Sequence, residues 1–157
     1  MFIKDVANVL KKNGIPFAIV GGYAIALHGI ARGTFDLDIV TELSEQNLAK
    51  IEATLLSMGM QPLLPVTAVE LYRNLATYRT EKNLIAWNFR NPNRLRDSLD
   101  VIITEDLREL EVIEAQTDFG KVPVLSIDSL IRMKSRAKRE QDLKDIAALE
   151  ALKRGRH

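Results

Sequence analysis

The stretch Gly21–Val40, GGYAIALHGIARGTFDLDIV, decides the reading of this chain. It opens on two adjacent glycines and closes on Asp36 and Asp38, two positions apart. Between them YAIALHG is short, apolar and Ala-rich, and it reads as a helix that starts at the glycines and stops near Gly29. Asp36–Val40 reads as a strand. Side chains alternate across a strand, so both carboxylates project from one face while Leu37 and Ile39 point into the core. Two carboxylates held that close repel, and a cation or water between them relieves the repulsion. Magnesium suits the task, because it is hard, prefers oxygen ligands and binds through one or two carboxylates plus substrate phosphates. The glycine pair lets backbone approach a ligand closely, and the free N–H groups of a helix start favour an anion. The order strand, Gly-Gly, helix, DxD strand thus builds an anion cradle beside a cation site, which suits a metal-bound nucleoside triphosphate. Arg32 and Thr34, in the loop before the aspartates, would add a charged clamp and a hydroxyl contact.

Each half of this pattern is common by itself. A Gly-Gly pair is usually a turn, and DxD occurs on many exposed strands; the ordered combination is the specific signal. His28 has no His or Cys cluster beside it, so it reads as a packing or hydrogen-bonding residue rather than a ligand.

Working outward, Ile3, Val6, Val9 and Leu10 have helical spacing, and Asn13-Gly14 ends that helix. PFAIV, Pro16 to Val20, reads as a short buried strand running into Gly21. After the DxD strand, Ser44 caps a helix that places Leu48, Ile51, Leu55 and Leu56 on one face and stops at Gly59. TAVELYRNLATYRTEK reads as a helix, and NLIAWNF and SLDVIIT as strands separated by the turn-rich NPNRLRD. DLRELEVIEAQ reads as a further helix, and KVPVLS as a short extended piece. Ser126 caps IDSLIRMKSRAK, and a last helix through DLKDIAALEALK offers Leu143, Ile146, Ala147 and Leu152 for packing. Helices and strands alternate, which gives an α/β or α+β class.

The 157 residues are most simply one domain, with a helical C-terminal segment from about residue 127. Hydrophobic residues at 46% and charged residues at 27% are ordinary for a soluble globular chain. No Cys is present, which excludes disulfides and thiolate metal sites and fits a cytoplasmic location. The N-terminus MFIKDVANVLKKNG does not have the pattern of a signal peptide, and no apolar run approaches the roughly 20 residues of a membrane span. The net charge of +1 hides a basic end, RMKSRAKREQDLK and KRGRH, which either attracts a polyanion or is a solvated helix face.

These residues resemble the nucleotidyltransferase superfamily that includes DNA polymerase beta. Its pattern, hG[GS], a short helix, then Dh[DE]h, is matched by Val20–Gly22 and Asp36–Ile39. The closer likeness is to small prokaryotic members, the AbiEii-type toxin nucleotidyltransferases and relatives of the minimal nucleotidyltransferases. Their string is matched by Gly21, Gly22, Ala24, His28, Gly29, Arg32, Thr34, Asp36 and Asp38. Their third carboxylate corresponds to Asp100 in SLDVII, and their C-terminal element to Lys134, Arg139, Asp142 and Asp145. The likeness is strong over residues 20 to 40, good over 122 to 149, and thin between 60 and 95.

The resemblance implies a mixed β-sheet with flanking helices and transfer of a nucleoside monophosphate from a triphosphate to a hydroxyl. It implies magnesium, two ions, with manganese as an alternative. Asp36 and Asp38 would bridge the ions and Asp100 would hold the one that activates the acceptor. Gly21-Gly22 would hold the triphosphate, Lys134 would neutralise the leaving pyrophosphate, and Arg139, Asp142 and Asp145 would support the site. The acceptor would be RNA, such as a tRNA end, or a protein hydroxyl, in a toxin–antitoxin or phage-defence setting with a cognate antitoxin as partner. Two other readings share the fold: an inactive nucleotide- or partner-binding module, and a small-molecule antibiotic nucleotidyltransferase. Some residues have bland readings as well. Asp100 can pair with Arg94 or Arg96, Lys134 and Arg139 can form a solvated basic face, and Asp142 and Asp145 can pair with Arg139 and Lys138. Trp87 and Phe89 either stack a base or fill the core.

Overall fold

The structure is a computed structural model that describes residues 2–31, 33, 36–137 and 139–155. Among these residues one seven-stranded mixed sheet has the strand order β3-β4-β5-β2-β1-β7-β6, with helices around it. The α/β class expected from the sequence is the class observed.

Helix α1 (Phe2–Lys12) buries Ile3, Val6, Ala7 and Leu10, and Gly14, at φ 64°, turns the chain into the sheet. Strand β1 (Phe17–Val20) is buried at every position, as fits a strand covered on both faces. It runs straight into α2 (Gly21–Leu27), whose Ala24 and Ile25 are fully buried. Strand β2 (Leu37–Thr41) returns antiparallel to β1 and lies at the middle of the sheet. Asp36 therefore sits just outside the strand rather than in its first position. Helix α3 (Glu45–Ser57) starts where Ser44 Oγ accepts the Asn47 N–H at 3.1 Å, and Gly59, at φ 83°, follows its end. Leu48, Ile51 and Leu55 are buried as expected, but Leu56 is 48% exposed; Asn47 and Thr54 face inward instead.

The middle of the chain departs from the single helix expected over TAVELYRNLATYRTEK. After the two-residue strand β3 (Gln61–Pro62), Thr67 caps α4 (Ala68–Arg73), and Asn74 leaves helical geometry before α5 (Leu75–Thr80). Strands β4 (Ala86–Asn91) and β5 (Arg94–Ile102) form a hairpin that is tighter than expected. Most of NPNRLRD is strand: Asn91 pairs with Arg94, and the Asn93 N–H reaches Asn91 Oδ1 at 2.9 Å. Trp87 and Phe89 are fully buried with ring centroids 4.6 Å apart in an edge arrangement, so they fill the core.

The expected helix over DLRELEVIEAQ is absent. Asp106 caps a single 3-10 turn (Leu107–Glu109), and the chain then enters β6 (Val112–Thr117). Strand β6 pairs antiparallel with β7 (Gly120–Leu125) across a two-residue turn, with Gly120 at φ 108°. Leu107, Leu110 and Ile113 imitate a helical stripe, but pairing with β7 decides the structure, as tertiary context does over weak local propensity. Ser126 Oγ accepts the Ser129 N–H at 3.1 Å at the start of α6 (Ile127–Ala137), which packs on α7 (Glu140–Gly155). Of the positions expected to pack α7, Leu143 is 59% exposed and Ala147 is exposed, whereas Asp142, Asp145 and Leu149 are buried.

Candidate active site

Three strands bring the central residues together through register. Strands β1 and β2 pair Val20 with Asp38, and the parallel pair β2–β5 sets Asp38 beside Asp100. Residues paired on neighbouring strands share a face, so these two carboxylates stand side by side at the end of β1, where Gly21 turns the chain. Gly21 has φ +67°, a conformation that favours glycine. A Cβ there would lie 3.1 Å from Asp38 Cγ and closer still to Oδ2. Gly21 is thus required twice, by its backbone angle and by the carboxylate packed against it.

Asp36, Asp38 and Asp100 all line one cleft of about 620 Å³, together with Val20, Gly21 and Gly22. That volume falls within the range of small-molecule sites. The Asp38 carboxyl is pushed up to about 7, first by burial and then by Asp100, which repels it and hydrogen-bonds to it, with Asp36 adding further repulsion. The ammonium of Lys134 acts in the opposite direction. Among the described residues no group of three or more His, Asp or Glu side chains is arranged as a metal-ligand cluster. Asp38 and Asp100 meet directly, whereas Asp36 accepts Ser98 Oγ–H at 3.1 Å. The donors still fit a hard divalent cation: adjacent carboxylates are the oxygen ligands such an ion takes, and its charge would offset the repulsion that acts on Asp38.

Asp100 receives a hydrogen bond from Asn88 Nδ2 at 2.6 Å, while Arg94 and Arg96 are exposed. On the opposite wall of the cleft, α6 presents Leu130, Met133 and Lys134. Lys134 Nζ lies 2.9 Å from Asp145 Oδ2 and 3.2 Å from Asp142 Oδ1. Arg139 closes the cluster: its backbone N–H reaches Asp142 Oδ2 at 3.1 Å and its Nε the same oxygen at 2.8 Å. Burial alone would raise the Asp142 carboxyl, but the Arg139 and Lys134 hydrogen bonds outweigh it and hold the group below its ordinary value. Asp142 and Asp145 thus hold the Lys134 ammonium, whose side chain is 13% exposed, while the Arg139 side chain stays 72% exposed.

Other expected residues fall elsewhere. His28 is buried, and its Nε2 lies 2.8 Å from the Leu125 carbonyl, in line with the packing role read from the sequence. Arg32, Thr34 and Lys138 lie outside the described residues. Sequence reasoning missed Asn88, Ser98 and an ion pair in the cleft wall, in which Arg136 Nη1 donates to both oxygens of buried Glu105. Only the β4–β5 register for Asn88, the β2–β5 register for Ser98 and the return of α6 to the sheet reveal these partners. Among the described residues no helix is long and apolar enough to cross a membrane.

No family model matches the sequence, and no curated protein matches it. Solved structures do. An antigenic nucleotidyltransferase-like protein from Paracoccidioides brasiliensis superposes with a TM-score of 0.59 at 19% identity, over 96% of this chain and 74% of that one. The lincosamide antibiotic adenylyltransferase LnuA, lincomycin-bound, gives 0.63 at 14% identity, over 96% of this chain and 95% of that one. ANT(2'')-Ia in complex with adenylyl-2''-tobramycin gives 0.58 at 14% identity, over 98% and 93%. At these identities the likeness is one of fold, and it spans nearly the whole of this chain. The protein has the nucleotidyltransferase fold that its sequence resembles.

Proposed function

We propose that this protein is a magnesium-dependent nucleotidyltransferase that moves a nucleoside monophosphate from a triphosphate to a hydroxyl. One observation carries the reading: Asp38 and Asp100 lie side by side on parallel strands, against the left-handed turn of Gly21, on the floor of a cleft that Lys134 faces. The residues that would hold the metal are Asp38 and Asp100, with Asp36 beside them. Bound magnesium would neutralise the carboxylates and stabilise the attacking and leaving oxygens of an in-line displacement, with manganese as a substitute.

The chain's own groups account for the rest. The Gly21-Gly22 backbone lets the triphosphate approach closely, and Lys134 stands where charge builds on the departing pyrophosphate. The acceptor oxygen attacks the α-phosphorus, the bond to the β-bridging oxygen breaks and pyrophosphate leaves. The hydroxyl proton passes to the Asp100 carboxylate, acting as general base. Asp142, Asp145 and Arg139 keep Lys134 in place. Arg32 and Thr34 are proposed to add contacts to the triphosphate.

The acceptor is proposed to be an RNA, such as a tRNA end, or a protein hydroxyl, the basic end of the chain favouring RNA. The setting would be a toxin–antitoxin or phage-defence pair in the cytoplasm, with the antitoxin as a protein partner and the whole chain as one domain. A second reading, a small-molecule antibiotic as acceptor, draws support from the lincomycin and tobramycin complexes among the structural neighbours. The test is incubation with each α-labelled triphosphate and magnesium, separately with total RNA, with protein, and with lincosamides or aminoglycosides. Label transfer by the native protein and its loss in Asp38→Asn supports the reading, and the arm that carries label identifies the acceptor. No transfer in any arm by folded protein, or transfer undiminished in Asp38→Asn, rejects it.

A further inference from the structure

We propose that Asn88 and Ser98, on the β4–β5 hairpin, are positioning residues that fix Asp100 and Asp36, the two carboxylates flanking Asp38. The inference rests on the metal-dependent reading above. Val20, Asp38, Asp100 and Asn88 form one lateral row across four adjacent strands, each paired with the next. Strands lie about 4.8 Å apart, so a side chain in such a row reaches its immediate neighbour. Asn88 Nδ2 donates to Asp100 Oδ1 at 2.6 Å, and Ser98 Oγ donates to Asp36 Oδ1 at 3.1 Å.

The placement of Asn88 is fixed from both sides. Trp87 and Phe89, its chain neighbours, are fully buried on the opposite face, and alternation then aims Asn88 at Asp100. Its carbonyl accepts the Leu63 N–H at 2.9 Å, which ties β4 to the segment after β3. Ser98 precedes Asp100 by two residues on β5 and so shares its face.

The chemistry of the donors is as telling as their placement. Both are neutral. A neutral donor orients a carboxylate and engages one of its oxygens without cancelling its charge, so the attraction for a divalent cation survives. A Lys or Arg in the same place would satisfy the carboxylate and compete with the cation. The hairpin thus holds Asp36 apart on Ser98 and Asp100 against Asp38, which accounts for a close pair with a third carboxylate to one side. Hydrogen-bond partners of this kind act on metal affinity through the ligand they orient.

The experiment is a thermal-shift titration of the full chain with magnesium, and in parallel manganese, for the native protein, Asn88→Ala, Ser98→Ala, Asn88→Lys and Asp38→Asn. The native protein is stabilised by the metal and Asp38→Asn is not. Asn88→Ala keeps a melting temperature close to native without metal but needs about tenfold more magnesium for half the shift. Ser98→Ala moves the midpoint in the same direction by less. Asn88→Lys melts higher than native without metal and no longer responds, its ammonium standing where the cation would. Unchanged midpoints in both alanine variants, with the response lost in Asp38→Asn, overturn the positioning role and leave the site itself standing. No metal response in the native protein overturns both. If Asn88→Ala does not fold, Ser98→Ala still decides the matter, because a purely structural hairpin would leave its metal response native.

Discussion

Gly21 is packed against Asp38: a side chain at residue 21 would meet the carboxylate before it met anything else. This contact joins the turn that ends β1 to the strand that carries the acid, so the backbone proposed to hold the phosphates and the carboxylate proposed to hold the cation cannot move independently. Gly21→Ala is therefore expected to do more harm than a glycine replacement elsewhere. Gly120 also has positive φ, at 108°, but a Cβ there meets nothing within 4 Å. Gly120→Ala should cost only the backbone strain, about 1 kcal/mol. Gly21→Ala should cost that strain plus the displacement of Asp38, with label transfer reduced by at least about 100-fold, the scale on which small misplacements of reacting groups act. Urea unfolding of both variants beside a transfer assay checks the contrast, and equal losses of stability and activity would contradict it.

The raised Asp38 carboxyl gives the metal-free protein a definite pH dependence. Its native value is about 7 against an ordinary 3.8. Between those values the folded chain keeps a proton that the unfolded chain has released, so stability falls as pH rises through the window. Asp142, held below its ordinary value, acts the other way, but its contribution is fully present above the unfolded carboxylate range and does not vary inside this window. The melting temperature without metal should therefore drop from about pH 5 to about pH 8. Asp38→Asn should flatten that slope and raise the melting temperature at the upper end. Magnesium should restore the native protein most at high pH, where the carboxylates it neutralises are ionised. A slope unchanged in Asp38→Asn would show that another group titrates.

The local signals in the sequence were those that rest on short-range chemistry. The apolar run into Gly21, the Ser44 and Ser126 caps and the glycine stops at 14 and 59 each involve residues within a few positions, and all have the structure expected of them. What stayed illegible depends on distant partners. Strand β6 has Val112 and Ile113 both more than a third exposed, so it lacks the alternation that marks a half-buried strand, and only the edge offered by β7 makes it one. On α7 the apolar positions suggested a packing face, yet the residues that turn inward include Asp142 and Asp145, because Lys134 arrives from α6 to meet them. Asn88 and Ser98 look like ordinary strand residues until the β4–β5 register sets Asn88 against Asp100 and the β2–β5 register sets Ser98 against Asp36.

Trp87 gives a direct check on the core. It is the single tryptophan of the chain, it is fully buried, and its Nε1 has no hydrogen-bond partner among the described residues. Its fluorescence should be blue-shifted in the native state and shift to red on unfolding. Trp87→Phe loses apolar area but also removes a buried unpaired donor, which costs about 1–3 kcal/mol to keep. The two effects oppose each other, so this change should cost clearly less than the roughly 3–5 kcal/mol of Trp87→Ala. Emission near that of free tryptophan in the folded protein would contradict the placement.

The Lys134 cluster should behave as a unit. Lys134, Asp142 and Asp145 have side-chain exposures of 13%, 2% and 7%, so solvent does little to screen them. Replacing the lysine with methionine strands two carboxylates in the wall of the cleft, and breaking a buried ion pair from one side costs about 3–5 kcal/mol. Arg139 bonds Asp142 and limits the damage there, and Gln141 Nε2 donates to Asp145 Oδ1 at 3.0 Å. Lys134→Met should thus be strongly destabilising, and adding Asp142→Asn or Asp145→Asn should recover part of the loss. Transfer activity should not recover with stability, because neither added change returns a positive charge to the cleft. A double-mutant cycle by urea unfolding, run beside the transfer assay, separates the two roles. Recovery of activity along with stability would make Lys134 a structural residue and leave the charge on the leaving pyrophosphate to Arg139.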